Sequence, residues 1–432
     1  MCVYARKFEV ANMSQFIMAE ANSRIITGED KIFAINNKAK AMILKEGKQN
    51  VANATIGSLL DDEGNLIVLA PVVDVLQSLS PAEYAEYAPI NGLPSYLECV
   101  KKAVFGEIPV PPYTEAAATP GGTGAIRNTI QNYSRRGDSI LTANWYWGPY
   151  NTIAQELERK LETYQLFTDD NQHRFNFPAF QEKMTEILAR QDRLVLIINT
   201  PAHNPTGYRF TNEDWDLVLG AICKAAEDKT KKITFLVDIA YIDFSLSATE
   251  DREFLKKLSG LPENVLPLLA YSMSKSLTMY GLRGGALVCL APNREIAEEF
   301  KLVCSVSNRG SWSNCTRAAM VTMERIYSNP ELLEKVTKER EAYSAMLLRR
   351  GRAFVKAAKE ANLEILPYMA GFFLIVPCKN PDAVGEELQK SGIFVVPFGS
   401  RGFRVSVASI SEEKCLKLPA KIAEAIRTVN GV

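Results

Sequence analysis

The segment Ser272-Met-Ser274-Lys275, with Arg283 eight residues on and Gly281, Gly284 and Gly285 around it, gathers an amine, two hydroxyls and a guanidinium. The lysine stands just past LPLLAYS (266–272), a continuous apolar run with the character of a buried strand. Loss of hydration favours the neutral amine, which makes Lys275 a candidate Schiff-base former. Ser272, Ser274 and Arg283 are suitable donors for a phosphate. A second run, ITFLVD (233–238), ends in Asp238, with Ala240 and Tyr241 beyond it. A carboxylate there suits the protonated nitrogen of a pyridine ring. Gly121-Gly122-Thr123-Gly124 opens a helical pattern directly after EAAAT (115–119), where free backbone N–H groups and the helix dipole favour an anion. The third glycine of a dinucleotide fingerprint is replaced by Arg127, which weakens any nicotinamide reading. A cofactor with a phosphate and an aromatic ring fits this collection.

Strand ends must position these groups. Apolar runs at 115–119, 139–143, 194–199, 233–238, 266–272 and 285–291 alternate with helical patterns, which predicts an α/β fold with a mostly parallel, doubly wound sheet. The last run follows its predecessor too closely for a helical crossover, so an antiparallel strand is expected there. One helical stripe, Ala125 to Tyr133, is expected to end at Arg135, Arg136 and a capping Gly137. Residues 292–432 read as a smaller α+β lobe: helices near 294–304 and 328–360, strands at 372–377, 393–397 and 403–408, and a closing helix at 411–428. Residues 30–65, with the turn DDEGN (61–65), are expected to join that lobe. The division is therefore 1–65 (N-terminal arm and part of the small domain), 66–305 (large domain) and 306–432 (small domain). In an open sheet of this kind ligands sit beyond the carboxyl ends of the strands.

Composition narrows the function further. The 432 residues carry 50 Lys+Arg against 50 Asp+Glu, which removes the basic surplus of a nucleic-acid binder. No apolar run reaches the roughly 18–20 residues of a membrane span. The first residues carry charges where a signal peptide has its apolar core, so a cytoplasmic protein is expected. Two histidines, His173 and His203, cannot build a multi-histidine metal site, and the eight cysteines form no C-x-x-C pair. No metal is expected, and the cysteines read as reduced core residues.

The chain resembles the fold type I pyridoxal-phosphate aminotransferases, and within class I the aspartate/aromatic amino acid branch. The resemblance rests on Ser272-x-Ser274-Lys275, Gly281-Leu-Arg283-Gly284-Gly285, Asn204-Pro205-Thr206-Gly207, Asp238-x-Ala240-Tyr241 and Arg404-Val-Ser-Val-Ala. Asn53-Ala-Thr-Ile-Gly57, Tyr87-Ala-Pro-Ile-Asn91-Gly92 and Arg309-Gly-Ser-Trp312-Ser313-Asn314 extend it, in family order, from about residue 53 to 408. It implies that Lys275 forms the internal aldimine with pyridoxal 5'-phosphate and later moves the α-proton. Asp238 pairs with the ring nitrogen, Tyr241 and Asn204 bond the ring's phenolic oxygen, and Trp147 stacks on the ring. Gly122, Thr123, Ser272 and Arg283 hold the phosphate, and Tyr87 reaches it from a second subunit. Arg404 takes the substrate α-carboxylate, with Gly57, Asn204 and Trp147 beside the substrate. Arg309, from the partner subunit, takes a side-chain carboxylate.

The implied activity is ping-pong transamination between an L-amino acid (aspartate, glutamate or aromatic) and a 2-oxo acid, in a homodimer with shared sites. A lyase or decarboxylase on the same scaffold shares Lys275, Asp238 and Arg404, and is the alternative. The sequence also departs from the branch. Gly148-Pro149-Tyr150 follows Trp147 where the branch has Pro-Asn-His, so Tyr150 replaces a histidine near the aspartate. Phe372-Phe373 lies where an aromatic residue borders the substrate pocket.

Overall fold

A computed structural model describes residues 18–19, 30–170 and 172–431; the N-terminal arm expected over 1–25 lies almost wholly outside them. Among the described residues there are twelve strands: β1 (Ala52–Asn53), β2 (Thr114–Pro120), β3 (Ser139–Ala143), β4 (Lys160–Tyr164), β5 (Arg193–Asn199), β6 (Lys232–Asp238), β7 (Val265–Ser272), β8 (Gly284–Leu290), β9 (Phe373–Pro377), β10 (Ile393–Phe394), β11 (Val396–Phe398) and β12 (Gly402–Ser406).

Seven of them form one sheet in the order β2-β8-β7-β6-β5-β3-β4. β8 is antiparallel to both β2 and β7, and the other pairings are parallel. Every residue of β3, β7 and β8 is buried, which is why these segments are continuous apolar runs without alternation. β4, KLETY, is an edge strand that begins exposed and carries charges, so it has no apolar signature.

Register places the chemistry. Asn199 pairs with Asp238, and Asp238 with Ala270, so β5, β6 and β7 deliver Asn199, Asp238 and Ser272 to one edge. β11, β12 and β9 form a separate antiparallel sheet in that order. Within it Arg404 lies between Val396 and Ile375. β1 pairs in parallel with β10, so residues 52–53 join strands from the far end of the chain. Asp61 closes the DDEGN turn by accepting the Asn65 backbone N–H at 2.7 Å.

Several boundaries differ from expectation. The helix expected to stop near 304 runs Arg294–Ser311, which puts Arg309 in its last turn. A further helix, Arg317–Tyr327, precedes the long helix Pro330–Glu360. The 393–397 run divides into β10 and β11, which pair with different sheets. Gly137 does not cap a helix: the helix ends at Tyr133, and Gly137, at φ +86°, turns the chain into β3. The seven described cysteines are all free, but Cys223 and Cys378 are only partly buried rather than core residues.

Arg350 ties the long helix to residues 60–62. Its side chain is fully buried and donates to the Leu60 carbonyl (2.8 Å), the Ala408 carbonyl (3.2 Å) and Asp62 (2.7 Å). Arg350→Ala leaves two carbonyls without that donor and is expected to cost about 2–4 kcal/mol in urea unfolding. A loss below half a kcal/mol would show that this anchor is dispensable.

Candidate active site

Beyond the carboxyl ends of β5, β6 and β7 lies a cavity of about 270 Å³. Lys275 sits in a single helical turn, Met273–Ser276, directly after β7. Its Nζ donates to the Gly57 carbonyl at 2.6 Å and stands 4.4 Å from the centre of the Tyr280 ring. Tyr241 and Phe372 lie at 5.6 and 5.5 Å. Burial, then the charges of Arg283 and Arg404, lowers its pKa to about 7. A Cβ at position 57 would fall 2.6 Å from Phe373 Cζ, so only glycine lets that carbonyl come so close.

At one end of the cavity the helix Gly121–Tyr133 begins without a side-chain cap, leaving first-turn N–H groups for an anion. Gly122, Thr123, Ser272 and Arg283 line that end. Arg283 Nη1 donates to Ser274 Oγ (3.0 Å) and the Tyr280 carbonyl (2.9 Å). Gly121 has φ +67°, and a Cβ there would lie 2.5 Å from Arg283 Nη2. Glycine is therefore required where the guanidinium crosses the helix start.

At the other end Asp238 is buried. One oxygen accepts the Tyr150 hydroxyl at 2.6 Å, and the other the Ala240 backbone N–H at 3.1 Å. Burial raises its pKa, while both hydrogen bonds pull the other way. Asn199 Nδ2 bonds the Asp238 carbonyl (2.8 Å), and its Oδ1 accepts the Asn204 N–H (2.6 Å). Asn204 Nδ2 lies 3.5 Å from the Tyr241 hydroxyl.

Arg404 reaches the same region from β12. It donates to Asn204 Oδ1 (3.2 Å) and the Thr55 carbonyl (2.8 Å), and its guanidinium lies 4.1 Å from the Phe373 ring centre. Its buried Nε has no partner. Trp147 lines the cavity and meets Tyr150 edge-on, with ring centres 5.6 Å apart.

The residues expected to meet within one chain thus do so, with Gly57 entering through its carbonyl. Tyr87 and Arg309 do not line the cavity. Tyr87 is 89% exposed, and Arg309 is exposed and donates to Ser313 Oγ at 2.7 Å. His203 is buried and bonds Thr206 Oγ1 at 2.8 Å; burial lowers its pKa to about 3, so it is a neutral packing residue. Sequence reasoning passed over Tyr280 and Asn199. Tyr280 lay inside the Lys275–Arg283 segment, and Asn199 ends a strand in register with Asp238, so position was the available signal.

The arrangement offers an anion pocket, a buried carboxylate and a partly neutral amine, with the Arg404 guanidinium buried behind Asn204. These groups fit pyridoxal phosphate. Among the described residues no cluster of three or more His, Cys, Asp and Glu is gathered for a metal, and no helix is long and apolar enough to cross a membrane.

Fold and site together define a cofactor-dependent enzyme with a lysine at its centre. Residues 49–422 match the family described as aminotransferase class I and II, and the chain belongs to that family. A solved aminotransferase from Anaerococcus prevotii DSM 20548 is 39% identical, with a TM-score of 0.92, over 95% of this chain and 99% of its own. Aspartate aminotransferase of Salmonella typhi is 25% identical over 388 residues, 87% of this chain and 92% of its own. An aromatic-amino-acid aminotransferase from Burkholderia pseudomallei, covalently bound to pyridoxal phosphate, shares the fold at 20% identity (TM-score 0.78; 96% of this chain, 100% of its own). The chain is a pyridoxal-phosphate-dependent transaminase.

A lysine with a pKa of about 7 is half neutral at that pH and fully reactive above it. Cofactor-free protein treated with a small aldehyde and borohydride is expected to label Lys275 first, with a midpoint near pH 7. Peptide mass spectrometry checks this. Labelling of Lys275 only above about pH 10, as for a solvated lysine, would refute the burial argument.

Proposed function

We propose that this enzyme moves the amino group between an L-amino acid and a 2-oxo acid, with aspartate and glutamate, or aromatic amino acids, as donors. The carrying observation is Arg404, a buried guanidinium that bonds the cavity-lining Asn204 and whose charge acts on the Lys275 amine. A carboxylate on that guanidinium sets the neighbouring α-carbon against the amine. The aromatic residues Trp147, Tyr241 and Tyr280 that line the cavity support a pocket that accepts aromatic side chains.

Pyridoxal phosphate, when bound, supplies the electron sink that stabilises negative charge at the α-carbon. Gly122, Thr123, Ser272 and Arg283 would hold its phosphate, and Asp238 would pair with the ring nitrogen. Tyr241 and Asn204 would bond the ring hydroxyl, and Trp147 would flank the ring. Lys275 Nζ, half neutral near pH 7, would take the α-proton and return it one step later. The first product, an oxo acid, leaves before a second oxo acid enters. The family and its relatives named above are aminotransferases, which does not favour the lyase or decarboxylase alternative.

The same reading makes the enzyme a homodimer. Leu302, Val306 and Arg309 share one helical face, and the two apolar side chains are 67% and 75% exposed. The Asn91 side chain bonds the Lys301 carbonyl of the same helix, which keeps the Tyr87 loop beside that face. Such a surface supports a second copy that receives Tyr87 at its phosphate and Arg309 at its substrate side chain. We take the enzyme to be cytoplasmic, in keeping with seven free cysteines among the described residues. Domain limits near 65 and 305 belong to this reading too.

The test is the visible spectrum of the holoenzyme during addition of aspartate, glutamate, phenylalanine and tyrosine separately. Bleaching of the yellow band, with recovery on 2-oxoglutarate, is expected; a band unmoved by all four would overturn the substrate reading. Arg309→Leu is expected to reduce kcat/KM for dicarboxylates by roughly a hundredfold or more, with aromatic donors much less affected. An equal loss for both classes would remove Arg309 from substrate recognition.

A further inference from the structure

We propose that Tyr150 is a positioning residue that holds Asp238 ionised and oriented toward the cofactor site while fixing the Trp147 platform. The proposal rests on the cofactor reading above and adds a residue to it. Tyr150 stands where the resembled branch has a histidine, and its hydroxyl donates directly to Asp238 at 2.6 Å. Its side chain is among the largest fully buried in the molecule. The phenol has one hydrogen to give, and Asp238 is its acceptor. A carboxylate that accepts this bond and the Ala240 N–H keeps lone pairs free on the cavity side.

The same tyrosine governs Trp147. Its backbone N–H bonds the Trp147 carbonyl at 2.9 Å, and the two rings meet edge-on at 84°. Pro149 begins the helix Pro149–Glu156, so the turn from Trp147 to Tyr150 is short and stiff. One residue therefore sets both the platform beside the ring and the carboxylate facing the ring nitrogen.

The chemical consequence separates tyrosine from histidine. Burial, then the Asp238 charge, pushes the Tyr150 phenol far above its ordinary range, so it stays a neutral donor throughout the working pH range. A histidine there could gain or lose a proton within the working range and carry that change to the aspartate. The titratable group beside this pair is Tyr241, and Lys275, Arg283 and Arg404 line or approach the cavity opposite. No histidine lines the cavity. Tyr150 thus makes the ionisation of Asp238 insensitive to pH over the working range.

The test uses cofactor-free protein and pyridoxamine 5'-phosphate, the amine form of the cofactor, which makes no bond to Lys275, read by quenching of tryptophan fluorescence from pH 5 to 9. Wild type is expected to bind with nearly constant affinity above about pH 6, where the phosphate is fully charged. In Tyr150→Phe the Asp238 pKa rises further. Affinity then falls roughly ten- to a hundredfold as the pH drops, with a midpoint above that of wild type. Tyr150→His keeps a donor, so affinity is expected to recover at high pH with a protonation step that wild type lacks. A Tyr150→Phe curve parallel to wild type, even with a lower melting temperature, would reduce Tyr150 to packing and overturn the proposal. Should that variant not fold, a Tyr150→His curve without the extra step would overturn it equally. Failure of the substrate reading would show in the amino acid titrations of the holoenzyme, leaving the pH dependence of cofactor binding intact.

Discussion

A lysine amine removed from water is the constraint around which this molecule is organised. A charged ammonium in a buried cavity is costly without a counterion, and no carboxylate bonds the Lys275 amine. Its partners are one carbonyl, from Gly57, and the faces of aromatic rings, while Arg283 and Arg404 add positive charge nearby. Burial and the two arginine charges favour the neutral form, which a nucleophile for carbonyl carbon must have. The carbonyl comes from the segment that β1 begins, and β1 is held by β10. The state of the lysine on the large sheet therefore depends on a pairing made some three hundred residues away in sequence.

Arg404 poses the complementary problem. A guanidinium cannot shed its charge in ordinary conditions, so its burial must be offset by acceptors. Two are present, the Thr55 carbonyl and Asn204 Oδ1, and the Phe373 ring covers one face. Thr55 belongs to a polar group of Asn36, Asn53 and Thr55, with Thr55 Oγ1 bonded to Asn53 at 2.6 Å and Asn53 to Asn36 at 2.8 Å. The helix Lys31–Glu46 thereby supports the arginine through two asparagines. Burial still lowers the Arg404 pKa to about 10, and its buried Nε has no partner among the described residues.

Much of the fold was legible because the parallel strands are buried on both faces. That burial writes itself as continuous apolar runs, and the observed strands β2, β3, β5, β6, β7 and β8 lie within about a residue of them. β4 escaped because an edge strand needs one apolar face at most. The helix Arg317–Tyr327 and the full length of Arg294–Ser311 escaped because helix ends depend on packing partners, not on local pattern alone. The divided run at 393–397 is similar: β-propensity marks extended backbone but does not choose which neighbour each half joins.

The site residues were legible by type and spacing, since a strand end followed by glycines, a lysine and an arginine is a local arrangement. Sequence alone placed Lys275, Asp238 and Asn204 at or just beyond the carboxyl ends of strands, with Arg283 before the next strand. Only the tertiary structure decided that Asp238 takes its hydrogen bond from Tyr150, that Gly57 receives the lysine amine, and that Tyr280 lies beneath it. Those contacts join residues 88, 218 and 5 positions apart, and the shortest of them depends on the turn between Lys275 and Tyr280. Tyr87 and Arg309 lie outside the cavity of the single chain for the same reason in reverse. Local pattern identifies such side chains, but their direction follows from packing, and packing leaves both exposed on the surface beside the Arg294–Ser311 helix.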